Sequence, residues 1–289
     1  MPEEAELGRP RPPGFNIDAR VARRHFERAA HSYAQASRLE AEIGSRMLER
    51  LNYVKLAPRR VLDAGSGPPR DARALAKRYR KADVLALDFS QAMLHAGRPR
   101  FRFFERRPPK PVCADLARLP LASASVGLVW SNMALHWAAD PVTVLREFHR
   151  VIALEGLLMF STLGPDTLAE LRLAAGAARV HSFTDMHDLG DMLVAAGFAE
   201  PVMDMERVTL VYAEGAALLA DLRASGQTCA LKDRARGLAG RRFHVSLLEK
   251  LAAQHRDGKL PVSYEVVYGH AWKAAPKRTA DGRSVIKIF

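Results

Sequence analysis

The stretch "VLDAGSGPPRDARAL", from Val61 to Leu75, decides the fold of this chain. It begins as a short apolar run, turns through Gly65 and Gly67, and continues with the spacing of an amphipathic helix. A buried strand that leads through a glycine turn into a helix is typical of sheets that bind nucleotide-like ligands. Pro68 and Pro69 follow where a small residue is usual. We expect them to stiffen the entry into the helix, since proline is tolerated at the first helical positions.

Short apolar runs rich in Val and Leu alternate with helical patterns through the middle of the chain. The runs lie at residues 60–65, 83–88, 111–116, 125–132 and 156–164, and two later ones lie at 201–212 and 262–272. Strands that alternate with helices predict a largely parallel sheet covered on both faces. The sequence therefore predicts an α/β, doubly wound, Rossmann-like fold.

Helical segments precede and interrupt this sheet. Residues 1–14 are rich in proline and charge and are predicted to be disordered. The next segment places apolar residues three and four apart, which predicts two helices with a break near Ser32 and Tyr33. The predicted regions are N-terminal helices at 15–56, a sheet domain at 57–275 with helical insertions at about 165–198 and 214–258, and a tail at 276–289. The second insertion contains a basic stretch, residues 231–255, that is predicted to be helical.

Composition limits the partners and the cellular context. Lys and Arg number 44 against 32 acidic residues, and the net charge of +12 suits nucleic acid, an anionic membrane surface or an acidic protein. The two cysteines support neither a disulfide framework nor a cysteine zinc site, and the ten histidines show no metal-ligand spacing. The sequence shows no signal peptide and no run near the ~18 apolar residues of a membrane span. We expect a cytoplasmic protein without metal or membrane association.

Acidic residues end three successive predicted strands, namely Asp63, Asp88 and Asp115. Ligands of a doubly wound sheet bind beyond the carboxyl ends of its strands, so these side chains should surround one site. Each has a role if the ligand is S-adenosylmethionine: Asp63 attracts the aminoacyl end, Asp88 accepts both ribose hydroxyls, and Asp115 accepts from the adenine amino group. The predicted cofactor-binding residues are Asp63, Gly65, Ser66, Gly67, Asp88, Phe89, Met93, Asp115, Leu116 and Ser131.

A nicotinamide-dependent enzyme on the same fold is a competing interpretation. That class needs Gly-x-Gly-x-x-Gly with the pyrophosphate at the helix N-terminus, and Arg70 stands at the third glycine position here. A sulfonium ligand has no phosphate for the turn to bind. The turn therefore favours the methyl donor.

Longer motifs resemble class I S-adenosylmethionine-dependent methyltransferases. "VLDAGSG", "LALDFSQAML" and "CADLARLPLASASVGLVWSNMALHW" follow one another in the order of that family. "FERAAHSYAQASRLEAEI", "STLGPDTLAELR" and "DLGDMLVAAGF" narrow the resemblance to the malonyl-acyl carrier protein O-methyltransferases of biotin synthesis, the BioC family. The resemblance extends from about Ala22 to Trp272. It implies a seven-stranded methyltransferase sheet with an antiparallel last strand, N-terminal helices over the cofactor, and a helical lid.

The resemblance also implies a reaction and a substrate site. The expected reaction transfers a methyl group from S-adenosylmethionine to the free carboxyl of a malonyl-acyl carrier protein thioester. The products are S-adenosylhomocysteine and the methyl ester that starts pimeloyl synthesis. No general base is expected, because a carboxylate is already ionised at neutral pH. The basic excess suits an acidic carrier protein, and we favour a monomer. The implied substrate-positioning residues are Tyr33, which closes over the cofactor, and His136, Trp137, His181 and Phe183.

Three other functions stay open at this point. "GPDTLAELR" also resembles the mitochondrial complex I assembly factor related to this family, proposed to hydroxylate arginine. The basic charge is compatible with a nucleic-acid methyltransferase. However, residues 131–134 lack the Pro-Pro-aromatic pattern of base amino methylation, and Val112 rather than proline precedes Cys113. Pro68 and Pro69 are compatible with a non-catalytic, methyltransferase-like binding protein.

Overall fold

A seven-stranded sheet forms the centre of the computed structural model, which describes residues 16–96, 107–237 and 239–274. The strand order is β3-β2-β1-β4-β5-β7-β6. The strands are β1 (Arg60–Ala64), β2 (Asp83–Asp88), β3 (Lys110–Cys113), β4 (Val126–Ser131), β5 (Ile152–Leu163), β6 (Ala199–Tyr212) and β7 (Leu260–Trp272).

Strand direction confirms the predicted doubly wound sheet. Strands β1 to β5 pair in parallel, and β7 is antiparallel to both β5 and β6. The order of the parallel strands reverses between β1 and β4. A crevice therefore opens beyond the carboxyl ends of these two strands, at the position where such folds bind ligands.

Helices cover both faces of this sheet. They are α1 (Ala19–Ala29), α2 (Tyr33–Ala36), α3 (Arg38–Arg50), α4 (Arg70–Arg78), α5 (Gln91–Ala96), α6 (Pro141–Val151), α7 (Ala169–Ala175), α8 (Met186–Ala195), α9 (Gly215–Ala224) and α10 (Arg241–Ala252). None of the helices in the described ranges is long and apolar enough to cross a membrane. The predicted disordered N-terminus, 1–14, and the predicted tail, 276–289, lie outside the described residues.

The two faces have separate cores. On one face, α3, α4, α7, α9 and α10 bury side chains against the sheet around Trp130, which is fully buried. On the other face, α6 and α8 pack their apolar sides, including Phe148 and Leu193, against the sheet. Apolar burial on both faces stabilises the strands and fixes where their carboxyl ends lie.

The basic stretch at 231–255 was wrongly predicted to be helical throughout. Among the described residues of this stretch, Arg241–Ala252 is the helical part, and the segment starts with a β-bridge at Leu231. Leu231 pairs with Ile17 in an antiparallel bridge, and Asn16 accepts a hydrogen bond from the Lys232 N–H through its carbonyl. This pairing uses the backbone groups that a helix would need, and it attaches the chain before α1 to this loop.

Two other boundaries differ from the prediction. Strand β3 ends at Cys113, so Asp115 does not end the strand but lies two residues beyond it, where its Oδ1 accepts a hydrogen bond from the Ala117 N–H at 2.9 Å. Such a carboxylate turn competes with strand pairing. The N-terminal region has three helices rather than two, since the chain breaks at Ser37 as well as between α1 and α2.

Candidate functional site

The glycine turn after β1 is held between β2 and the loop after β4. The N–H groups of Gly65 and Ser66 both donate to the Leu87 carbonyl, at 2.8 and 2.9 Å. Gly65 has a φ of +79°, and a Cβ on it would lie 2.2 Å from the Cβ of Ala134. Position 65 therefore requires glycine for conformation and for space. At Gly67, with a φ of +55°, a Cβ would lie 3.7 Å from the Tyr33 ring, so conformation alone favours glycine there.

Pro68 and Pro69 lie between this turn and α4. The helix begins at Arg70, and Pro69 is its N-cap residue, so the prolines precede the helix rather than occupy its first positions. Neither proline removes a helical hydrogen bond, so the helix tolerates both. The rigidity of the turn stays a prediction.

Asp88, at the end of β2, joins the turn to the second strand. Its Oδ2 accepts from the Gly67 N–H at 2.9 Å and its Oδ1 accepts from the Ser90 N–H at 2.8 Å. Burial raises the pKa of Asp88 to about 6, although the two N–H groups favour the ionised form. Each oxygen keeps a free lone pair. The carboxylate can therefore accept two ligand hydroxyls while it holds the turn.

A cavity of about 170 Å³, which we term the central cavity, opens beside Asp88. Phe89, Met93 and Leu116 form apolar walls, and Phe26 of α1 and Tyr33 of α2 lie over it. Asp115 lines the same cavity, although it is exposed. The cavity suits a flat, apolar ring with polar groups at its edge, as adenosine has.

A smaller cavity of about 90 Å³, the acidic cavity, continues from the central one, since both are lined by Tyr33, Gly65 and Asn132. Its remaining lining residues include Glu40, Asp63, Ser66, Arg70 and Asp71. Asp63 is 1% exposed, and burial and the neighbouring Asp71 carboxylate raise its pKa well above the usual range. Among the described residues, its Oδ2 has no hydrogen-bond partner. A buried acceptor of this kind calls for a donor or a cation from a ligand.

A third cavity of about 410 Å³, the apolar cavity, meets the central one at Trp137, which lines both. Its walls come from the segment after β5 and from α7, α9 and α10, through Leu163, Leu171, Leu222 and Leu247. Arg179, Arg223 and Arg234 also line it. The helices inserted after β5 and after β6 thus enclose a chamber next to the cofactor side.

His136 and His181 lie in the wall of the apolar cavity as neutral rings. Burial lowers the pKa of His136 to about 3 and that of His181 to about 4. The Nδ1 of His136 is 3.2 Å from the hydroxyl of Thr162, and the Nε2 of His181 accepts from the Ala230 N–H at 2.8 Å. The proton of His181 is therefore on Nδ1. Neutral rings of this kind can donate hydrogen bonds to an anion without acting as bases at neutral pH.

Aromatic rings separate the central cavity from the apolar cavity. The ring of Trp137 lies edge-on to Phe26 at 4.9 Å and to His181 at 5.0 Å between centroids. Phe26 also contacts Tyr33 at 6.3 Å, whose pKa burial raises well above its usual value, so the phenol stays neutral. Phe183 is 5.6 Å from His136 and lines the apolar cavity. All five predicted substrate-positioning residues thus lie around the junction or in the apolar cavity.

The predicted cofactor residues divide unevenly over this site. Nine of the ten line the central or the acidic cavity. Ser131 is the exception, since it is fully buried at the end of β4 and lines none of the three cavities in the described part of the chain. Asn132, the next residue, lines both cofactor-side cavities, and its Nδ2 donates to Asp71 at 2.8 Å. The binding roles of all ten residues stay predictions.

Sequence reasoning missed Glu40, Asp71 and Phe26. Glu40 shares the buried side of α3 with Ile43 and Met47, so an acid in an apolar helical stripe was the available signal. Asp71 is buried in the first turn of α4, where an acidic residue usually needs no ligand to explain it. Only the folded arrangement places these side chains together.

The residues present fit S-adenosylmethionine. The central cavity offers apolar walls and a carboxylate for the nucleoside, and the acidic cavity offers an unpartnered buried carboxylate oxygen beside the glycine turn. Among the described residues that line the two cavities, no cluster of cationic side chains lies at the turn to bind a pyrophosphate. A cofactor with a cationic aminoacyl end therefore suits the site better than a dinucleotide.

Comparison with known proteins agrees with this geometry. The methyltransferase domain family matches residues 62–160 of this chain, which agrees with S-adenosylmethionine as its cofactor. Among solved structures, the YcgJ protein of Bacillus subtilis has a TM-score of 0.57 at 12% identity over 79% of this chain and 98% of its own. The [4+2]-cyclase SpnF has a TM-score of 0.52 at 18% identity over 81% of each chain. These two similarities show the fold alone.

Curated relatives are much closer in sequence. The malonyl-[acyl-carrier protein] O-methyltransferase of Gallionella capsiferriformans is 48% identical over 94% of this chain and 97% of its own. The enzyme of the same name from Laribacter hongkongensis is 49% identical over 95% of this chain and 97% of its own. Identity at this level over nearly the whole length settles the family. This chain belongs to the malonyl-[acyl-carrier protein] O-methyltransferase family.

Proposed function

We propose that this protein methylates the free carboxyl of malonyl-acyl carrier protein with S-adenosylmethionine, and so supplies the methyl ester that starts pimeloyl synthesis in the biotin pathway. One observation carries the proposal: the central cavity, which fits the cofactor, meets a separate apolar cavity at Trp137. A substrate in the apolar cavity would reach the cofactor only at that junction. The name shared by the close relatives supplies the substrate class.

The junction suits an acceptor that needs no base. When bound, S-adenosylmethionine supplies a methyl group whose bond to sulfur breaks as the bond to the carboxylate oxygen forms, with the electron pair left on sulfur. The acceptor is already ionised at neutral pH, so no proton has to be removed. His136 and His181 are neutral and therefore suited to orient the carboxylate by donating hydrogen bonds. The catalytic contribution is alignment of the carboxylate with the methyl group.

The ring of Trp137 and its aromatic neighbours surround that junction. Trp137, Phe26 and Tyr33 make contacts from three different segments, so packed aromatic rings line the junction between the cavities. Methylation turns the ionised carboxylate of the substrate into an uncharged methyl ester, so this end of the product is less polar. The apolar walls formed by Leu171, Leu222 and Leu247 suit the thioester part of the substrate and do not suit a second charge.

The carrier protein is the proposed macromolecular partner. Arginines line the apolar cavity, and Arg179 lies over the Phe243 ring with its Cζ 4.1 Å from the centroid. Arg241 and Arg242 are exposed at the start of α10, which forms part of the same chamber. A basic rim around the entrance would attract an acidic carrier and guide its thioester arm inward. The monomeric state and the cytoplasmic location stay predictions.

Two measurements test the proposal in sequence. Calorimetry with S-adenosylmethionine and S-adenosylhomocysteine should detect binding, and no binding at millimolar ligand would contradict the enzymatic function. Mass spectrometry of malonyl-acyl carrier protein after incubation should then show the gain of one methyl group. An acetyl-acyl carrier protein, which lacks the free carboxyl, is the matched control and should not change in mass.

A separate variant tests whether the carrier protein docks at this basic rim. The double substitution Arg241→Glu and Arg242→Glu should raise the KM for malonyl-acyl carrier protein roughly 10-fold at low salt. The rate with a small malonyl thioester that has no carrier should be unchanged. Arg80→Glu, also at an exposed position, is the matched control. An equal effect of both variants would assign the attraction to net charge and not to this rim.

A further inference from the structure

The acidic cavity has more negative than positive groups in its wall. Three carboxylates line it, from three different elements: Glu40 of α3, Asp63 of β1 and Asp71 of α4. Arg70 is the one cationic side chain that lines this cavity in the described part of the chain. Unpaired buried carboxylates are costly, so a wall of this composition favours a cationic ligand.

The protein itself supplies the most partners to Asp71. Asp71 accepts from the Nε1 of Trp130 at 3.2 Å and from the Nδ2 of Asn132 at 2.8 Å, and it pairs with the Nε of Arg70 at 3.2 Å. The Oδ2 of Asp63, in contrast, has no partner among the described residues, although the side chain is 1% exposed. The arginine is therefore committed to Asp71, and one oxygen of Asp63 is left for a ligand.

Glu40 is the third acid, and it comes from the N-terminal helices. It is 5% exposed, and its carboxylate accepts a hydrogen bond from the side-chain amide of Gln227. Its backbone carbonyl accepts from the Nδ2 of Asn132 at 2.8 Å, which fixes this turn of α3 beside the cavity. A Cβ at Gly44, one turn further along α3, would lie 2.7 Å from the Oδ2 of Asp71. The glycine lets the helix approach closely enough for Glu40 to form part of the wall.

We propose that Glu40 and Asp63 together bind the ammonium group of the cofactor's amino acid portion, so that α3 of the N-terminal helices takes part in cofactor recognition. The assignment rests on the proposed function, because it assumes that S-adenosylmethionine or its product occupies the site. It adds a residue that is distant in sequence from the glycine turn. It also gives α3 a binding role that packing alone would not require.

Several ionisable groups surround Glu40 and affect its charge. They are Tyr33 of α2, Asp63 of β1, Arg70 and Asp71 of α4, Tyr212 of β6, Asp221 of α9 and Tyr264 of β7. Burial raises the pKa of Glu40 to about 7, while the Gln227 amide and Arg70 favour the ionised form and Asp221 opposes it. A bound ammonium group would favour the ionised form, so binding and deprotonation of Glu40 should be linked.

A comparison of two ligands isolates this contact. S-adenosylhomocysteine carries the amino acid portion, whereas 5′-methylthioadenosine has the same nucleoside without it. By calorimetry, Glu40→Gln should weaken S-adenosylhomocysteine binding about 10- to 100-fold, which is the range for losing a hydrogen bond to a charged group. The affinity for 5′-methylthioadenosine should stay within about twofold of the wild-type value. Glu170→Gln is the matched control, because Glu170 is a partly buried acid that accepts from the N–H and hydroxyl of Ser263 outside this cavity. It should change neither affinity.

The unmutated chain provides a second measurement. Between pH 5.5 and pH 7.5, S-adenosylhomocysteine affinity should rise more steeply than 5′-methylthioadenosine affinity, since Glu40 loses its proton in this range while the ligand's amino group stays protonated. Equal loss of both ligands in Glu40→Gln, or no loss of either, would overturn the assignment while leaving the proposed function intact. If the wild-type chain bound neither ligand, the proposed function and this assignment would fail together.

Discussion

The cofactor side and the apolar cavity meet at one tryptophan, yet the chain builds them in different ways. Most of the cofactor side comes from residues at or after the ends of β1, β2, β3 and β4, with the N-terminal helices laid over them. The apolar cavity takes side chains from segments that are far apart, from His25 to Leu247. The cofactor side contains buried acids, whereas the apolar cavity contains neutral histidines. A local motif thus determines the first region, and the tertiary arrangement determines the second.

The largest expected effect comes from closing the glycine turn. Gly65→Val should abolish cofactor binding, with at least about a 100-fold loss, since position 65 combines a positive φ with a Cβ site already filled by Ala134. Calorimetry with S-adenosylhomocysteine measures the loss, and circular dichroism checks that the fold persists.

Pro69→Gly is the matched control for that turn. Pro69 caps α4 without a side-chain hydrogen bond, so glycine there should leave the affinity nearly unchanged. The opposite pattern, with tolerance at Gly65 and loss at Pro69, would mean that the prolines and not the glycines shape the site.

Asp88→Asn should have the next largest effect. The asparagine side chain keeps one acceptor oxygen for the N–H groups of Gly67 and Ser90, so at least one of these hydrogen bonds is lost together with the negative charge. We expect about a 10- to 100-fold loss of affinity. Because Asp88 is assigned to the ribose, S-adenosylhomocysteine and 5′-methylthioadenosine should weaken equally, unlike the result expected for Glu40→Gln. A loss confined to S-adenosylhomocysteine would contradict the ribose assignment.

The same division explains what the sequence could predict. The order of strands and helices, the glycine turn and the acids at Asp63 and Asp88 follow from short-range patterns, because alternating burial and strand ends are encoded locally. The prediction that Asp115 ends β3 was wrong, since the strand stops at Cys113 and the Asp115 side chain forms a turn with the Ala117 N–H. Glu40 and Asp71 could not be assigned, because their role depends on how closely α3 approaches α4 at Gly44. The start of the basic stretch was wrongly predicted to be helical because the pairing partner of Leu231, Ile17, lies at the other end of the chain.

A conservative change in the apolar cavity should separate substrate from cofactor binding. Phe183→Leu should lower kcat/KM for malonyl-acyl carrier protein roughly 10-fold, because a pocket wall contributes on this scale to discrimination. Cofactor affinity should stay within about twofold, since Phe183 lines only the apolar cavity among the three described.

Phe198→Leu provides the control for lost aromatic volume. Phe198 is equally buried but packs against His149, 5.1 Å between ring centroids, outside the apolar cavity. It should reduce thermal stability without changing kcat/KM. If both variants reduced kcat/KM to the same extent, the effect would come from general loosening of the core.

The smallest expected effect is on stability, and its sign should differ between the two regions. Folding raises the pKa of Glu40 from 4.5 to about 7, so its contribution to stability is most favourable below pH 4.5 and is lost as the pH rises towards 7. Folding lowers the pKa of His136 from 6.5 to about 3, so its contribution is fully present above pH 6.5 and is lost as the pH falls.

The difference in unfolding free energy between pH 8 and pH 5 should therefore increase in Glu40→Gln and decrease in His136→Asn, by about 1 kcal/mol or more each. Urea unfolding at the two pH values measures this difference independently of any packing loss that is the same at both. His244→Asn, at an exposed position of α10, should leave the difference unchanged. If this pH difference shifted with the same sign in Glu40→Gln and His136→Asn, it would contradict the conclusion that burial keeps both Glu40 and His136 in their neutral forms.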